Sequence, residues 1–121
     1  MNPIEALALA IGNLNEAFTN PESQAFQCGN PGLLPARTLE SLGTATDDGI
    51  RRFTMLQGGL KALVDALAKE AKWHPHRTIS QVLNAYGHGS EFEIREALAF
   101  VSMALGRILK PDTNLKSLTE Q

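Results

Sequence analysis

The sequence predicts a single, mostly α-helical domain of about five helices, with a long front loop or short β-hairpin between the first and second of them. Three observations lead there. The pattern Ser/Thr-x-x-Glu/Gln stands ahead of apolar runs of helical period at Thr54/Gln57, Thr78/Gln81 and Ser90/Glu93. Turn-forming Gly, Pro, Asn and Asp crowd into residues 19 to 53. With 121 residues, 43% hydrophobic and 20% charged, the chain matches one ordinary globular domain, taken as 1–121.

The first helix starts at Asn2, an N-cap, followed by Pro3 at a position where a missing N–H costs nothing and by Glu5. Ile4, Leu7, Ile11, Leu14 and Phe18 recur at three and four and draw one apolar stripe, from which Glu16 points away. Thr19 to Ser23 break this helix, and Gly29-Asn30-Pro31-Gly32 is a second dense turn. Residues 19 to 53 therefore read as mostly loop, with a hairpin pairing 39–42 with 50–53 around Asp47-Asp48-Gly49.

From the Thr54 cap a second long helix runs to Trp73, with Leu56, Leu60, Leu63, Val64, Leu67 and Ala71 inside and Lys61, Asp65 and Lys69 spaced for weak pairing outside. Thr78 opens a short helix burying Ile79, Val82, Leu83 and Tyr86, which Gly87 stops. Ser90 opens a helix to about Ile108, with Ile94, Leu98, Val101, Leu105 and Ile108 inward, closed by Pro111. Thr113 to Leu118 add a final turn. The Gly58-Gly59 pair in a helix start costs about 1 kcal/mol per glycine and points to a close approach of another backbone.

Charge and cysteine content narrow the partners. A net charge of −2 gives no long-range attraction to nucleic acid or to an anionic membrane. No run approaches the roughly 18 apolar residues of a membrane span. Met1 to Leu14 lacks the basic start of a signal peptide, so the chain is expected to be made in the cytoplasm. The single Cys28 excludes an intrachain disulfide and reads as a small buried thiol. His74 and His76 flank Pro75, but an i, i+2 pair without cysteine or carboxylate at metal spacing makes no metal site, even with His88. No motif calls for a cofactor. Arg51 and Arg52, adjacent on a strand, face opposite sides.

The stretch from Asn15-Glu16-Ala17-Phe18 through the Pro21 turn to Gly29-Asn30-Pro31-Gly32-Leu33-Leu34 resembles the short lysozyme-like domains of bacteriophages and bacteria. Their pattern is Glu-Gly-Phe at a helix end, a proline-containing turn, then Asn-Asn-Pro-Gly-Asn-Leu. Gly49 to Phe53, Gly58-Gly59-Leu60, Thr78 to Tyr86, Ala99-Phe100-Val101 and Pro111 to Leu115 continue the likeness over nearly the whole chain. It departs from the pattern at Ala17, at Cys28-Gly29, at Leu33, and after Tyr86.

The resemblance implies a lysozyme-like fold and cleavage of peptidoglycan glycan strands, as a muramidase or lytic transglycosylase, with Glu16 as the general acid. A general acid must hold its proton near neutral pH, which partial burial favours. Phe18, Phe26 and Tyr86 are expected to supply an apolar wall, and Phe26, Asn30 and Tyr86 to line the cleft, although Asn30 equally suits pinning the loop. Of Glu22, Asp47 and Asp48 none is clearly placed as a second carboxylate, which favours attack by the sugar's own 6-hydroxyl. Such a protein would be virion-borne or released to the periplasm by other factors. Two rival readings are a non-catalytic virion component of the same fold, bound to other virion proteins, and a helical adaptor unrelated to lysozymes.

Overall fold

The computed structural model describes residues 2–35, 44–45, 49–87 and 89–120. Helix α1, Pro3–Leu14, starts as expected, with the Asn2 side chain accepting a hydrogen bond from the Ile4 N–H at 2.8 Å. It is more than an amphipathic helix with one stripe. Ala6, Leu7, Ala8, Ala10, Ile11, Gly12 and Leu14 are all buried, because α3, α5 and α6 pack around it. A helix apolar around most of its circumference is a core helix. It stops at Leu14, and Phe18 folds back against Gly12 instead of extending the helix.

The front segment contains a helix that the sequence reading missed. Helix α2, Gln24–Gln27, is a single turn capped by Ser23, whose hydroxyl accepts from the Phe26 N–H at 3.1 Å. One turn is too short to display a period. An antiparallel pairing is present in this segment: β1, Thr44–Ala45, pairs with β2, Arg51–Arg52, in the register Thr44↔Arg52 and Ala45↔Arg51. Residues 39–42, assigned to that strand from the sequence, lie outside the described residues. That register leaves 46–50 between the strands, of which 46–48, with the expected turn residues Asp47 and Asp48, lie outside the described residues.

Helix α3, Leu56–Trp73, does not use the Thr54/Gln57 capping box; Met55 is its N-cap and makes no side-chain cap bond. Its start is set by packing instead. A Cβ on Gly59 would lie 1.7 Å from the Gly29 carbonyl oxygen and 3.0 Å from the Pro31 ring, so the first turn of α3 rests directly on the loop backbone. Leu63 and Leu67 are buried and Leu60, Val64 and Ala71 pack at the core's edge, whereas Leu56 is exposed. Lys61, Asp65 and Lys69 are exposed as expected, but no ion pair joins them among the described residues.

Helices α4, Ile79–Tyr86, and α5, Glu91–Leu105, carry both predicted capping boxes in full. Helix α5 ends sooner than expected, because Gly106 adopts the left-handed conformation (φ 68°). The change of direction leaves Ile108 91% exposed, not inward, and buries Leu109 in its place. Helix α6, Leu115–Thr119, is capped by Asn114 and puts Leu115 and Leu118 into the core. Backbone bonds from Leu115 to Arg77 (2.8 Å) and from Lys116 to Pro75 (2.9 Å) tie α6 to the α3–α4 turn. Helix α4 packs on α5, so the core lies between α1, α3, α5 and α6 with α4 closing one side. Among the described residues no helix is long and apolar enough to cross a membrane.

The two adjacent glycines of α3 separate these effects. Gly59→Ala should destabilise the fold by about 3 kcal/mol, since a backbone oxygen must move. Gly58→Ala, whose Cβ meets only the Phe53 ring at 3.8 Å, should stabilise by roughly 0.5 kcal/mol through helix propensity. Thermal or urea unfolding of the two variants checks both signs.

Candidate functional site

Glu16 occupies an unusual place on the backbone. Three helices of this chain end in the same pair of reversed hydrogen bonds, N–H to carbonyl three and five residues back. At α1 the bonds are Glu16 to Asn13 (3.1 Å) and Ala17 to Gly12 (2.9 Å); at α2 they are Gly29 to Phe26 (3.1 Å) and Asn30 to Ala25 (2.8 Å). At α5 they are Gly106 to Met103 (3.2 Å) and Arg107 to Ser102 (3.1 Å). This Schellman arrangement requires a left-handed residue just past the helix, and glycine fills it without steric cost. At α2 and α5 that residue is Gly29 (φ 57°) and Gly106 (φ 68°); at α1 it is Glu16 (φ 58°). A side chain there costs about 1 kcal/mol.

The conformation is held from several directions. The Glu16 carbonyl accepts from the Asn20 N–H (3.2 Å) and from the Ser23 hydroxyl (3.0 Å). Its carboxylate is exposed, not partly buried as expected of a general acid, because the left-handed turn carries it away from the core; it accepts a long bond from the Asn20 amide (3.4 Å) and forms no ion pair with a described residue. Asn15, which the sequence reading passed over, is buried. Its amide donates to the carbonyls of Pro31 (2.8 Å) and Tyr86 (2.9 Å), joining the end of α1 to the Gly-Asn-Pro-Gly loop and to α4.

Asn30 performs the second of its two expected roles. Its side chain is fully buried, donates to the carbonyls of Leu34 (3.0 Å) and Arg51 (2.8 Å), and accepts from the Leu34 N–H (2.9 Å). With Phe53 N–H on the Cys28 carbonyl (2.8 Å) and Arg51 N–H on the Leu34 carbonyl (2.9 Å), it fastens the loop to β2. Leu33 follows in a left-handed conformation (φ 50°). Asparagine tolerates that conformation better than leucine does, so the backbone here is strained.

The aromatic residues diverge. Phe26, on α2, is 43% exposed. Phe18 lies on Gly12. Tyr86 is turned toward α3: its hydroxyl donates to Glu70 Oε1 (3.1 Å), and Glu70 Oε2 takes the Arg77 guanidinium at 2.6 Å. Burial, chiefly, and the Glu70 carboxylate push the Tyr86 hydroxyl from 10.0 up to about 12. The guanidinium of Arg51 stacks over Phe53, 5.5 Å from the ring centre, while Arg52 donates to the Gln27 carbonyl, so the two arginines do face apart.

Two clefts open on the described surface. One of about 230 Å³ lies between α1 and α5 and takes in Asn13, Glu96 and Phe100; the other, about 290 Å³, lies between α4 and α5 around Ser80, Asn84 and Leu98. Glu16 lines neither. Glu22 is exposed beyond the Asn20 turn, and Asp47, Asp48 and His88 are outside the described residues. Cys28 is a buried free thiol. Among the described residues no group of three His, Cys, Asp or Glu is placed to hold a metal.

Compared with known proteins, the chain matches no family model, no curated protein and no solved structure.

The Tyr86 hydroxyl fixes a pH dependence. An unfolded chain releases this proton near pH 10 and the folded one near 12, so the folded state binds more protons between them and stability falls as pH rises through that window. Tyr86→Phe removes the effect: its unfolding free energy should decline less between pH 9.5 and 11 than the parent's, as read from urea unfolding at each pH.

Proposed function

We propose that this chain cleaves the glycan strand of peptidoglycan, as a muramidase or lytic transglycosylase of lysozyme-like fold, with Glu16 as general acid. The observation that supports it is the glutamate in the left-handed position that closes α1, where the same motif at α2 and α5 has glycine. Strain of this kind, fixed by surrounding bonds, collects at functional sites. The Asn20 and Ser23 bonds hold the backbone and leave the carboxylate facing out, unpaired with any described cation and open to a ligand. A glycan strand laid over it would exclude the water that a proton donor needs excluded.

In this reading Asn30 shapes the loop and does not touch sugar, Phe26 offers an exposed apolar surface on the helix whose Ser23 cap bonds the Glu16 carbonyl, and Tyr86 acts through its backbone carbonyl on Asn15. Partners are glycan strands, reached by virion-borne delivery or by release to the periplasm. A second reading has its own support: Phe92, Met103 and Ile108 are 69%, 82% and 91% exposed along and beyond α5, which suits a non-catalytic virion component held by neighbouring proteins.

Two variants at one position separate the readings. Purified protein should clear a turbid suspension of bacterial sacculi, and Glu16→Gln should slow it by about a hundredfold or more. Glu16→Gly should be equally inactive yet more stable by roughly 1 kcal/mol, because it relieves the left-handed strain. Intact sacculi under the parent protein would leave the virion-component reading.

A further inference from the structure

The end of α3 carries an exposed ring in a cationic setting. Trp73, the only tryptophan of the chain, is 69% exposed on the last turn of the helix. The Lys72 ammonium sits 5.5 Å from the centre of its ring, and Lys69 lies one helical turn before it on the same face. His74 and His76 follow, both exposed, and Lys116 is brought alongside by its backbone bond to Pro75. None of the three lysines is ion-paired with a described residue, and the one carboxylate of that helix turn, Glu70, is taken by Tyr86 and Arg77. A chain of net charge −2 thus concentrates unpaired positive charge around a single solvent-facing indole.

We infer that this surface is an accessory binding site for an anionic glycan, separate from Glu16. The indole stacks on the apolar face of one sugar ring, and Lys69, Lys72 and Lys116 neutralise carboxylates on either side of it. The choice of ligand rests on the proposed activity; the existence of the site does not. A single exposed ring suits one sugar better than a nucleic acid strand, which is gripped by successive aromatic side chains along a basic channel. The site would hold the protein on the wall while the α1 end works on the strand.

The sole tryptophan provides its own readout. Trp73 fluorescence should change saturably on titration with soluble disaccharide-peptide fragments of peptidoglycan, and the affinity should fall as salt rises. In sacculus pull-downs, Trp73→Ala and the double variant Lys69→Glu/Lys72→Glu should each weaken retention by roughly tenfold, the scale of a truncated interface anchor. Both are compared in the Glu16→Gln background, where the sacculi stay intact and cleavage does not release bound protein. The proposal is overturned by an unchanged fluorescence, by an equal response to neutral chitin tetrasaccharide or to polyglutamate, or by a stronger response to oligothymidylate. Retention through Trp73 by a parent protein that cleaves nothing would remove the catalytic reading and leave this site standing.

Discussion

The front half of the molecule depends on a contact between two stretches of backbone. The Gly29 carbonyl lies where any side chain at position 59 would have to be, so the loop can lie flat on the first turn of α3 only if that residue is glycine. Gly32 presses on Leu63 in the same way, with a Cβ there meeting a methyl at 2.5 Å. Once the loop is docked, Asn30 is sealed from water and must satisfy its amide internally, which it does with three backbone bonds. Each of those bonds is a constraint on β2 or on the loop itself. The packing thus dictates the polar network, and the network fixes the hairpin.

Asn15 extends the constraint to the core helix. A buried amide that bridges the Pro31 and Tyr86 carbonyls leaves the residue after it little freedom, and the chain must turn away from α4 at once. The turn is the left-handed conformation of Glu16. Placing a carboxylate there sets it at the end of a helix buried on most sides, with its backbone fixed and its head in water. Rigid support with an accessible functional group is what a reacting side chain requires. The Tyr86–Glu70–Arg77 cluster braces the far side of the same joint, since Glu70 belongs to α3, Arg77 to the turn after it and Tyr86 to α4.

Much of the helical scaffold was legible in the sequence because its signals are local. Thr78/Gln81 and Ser90/Glu93 form reciprocal caps between residues three apart, and Ile79, Val82 and Leu83 are buried as their spacing required. One misreading occurs where a distant residue decides, the other at a nearby glycine. Thr54 loses its cap because Gly59 must meet Gly29, and Ile108 falls outside because Gly106 reverses the chain before it. Gly106 is the one of these that carried a local signal, a glycine near a helix end. At the candidate site Glu16 was singled out from a motif; its left-handed geometry is a local turn that no glycine announced, whereas the Asn15 bridge and the Asn30 bond to Arg51 are contacts across 16 to 71 residues of chain. The Gly58-Gly59 pair did announce a close approach, and the structure assigns it to Gly59.

The claim that Glu16 donates a proton to a glycosidic oxygen is tested most directly by the chemistry of the products. Mass spectrometry of the soluble fraction after incubating the protein with purified sacculi should show disaccharide-peptide fragments ending in either a reducing sugar or its internally cyclised, water-poor form, the two outcomes of a strand cut with one acid. Glu16→Gln should release neither. Fragments cut only at peptide bonds, or a fraction without fragments from the parent protein, would contradict the account.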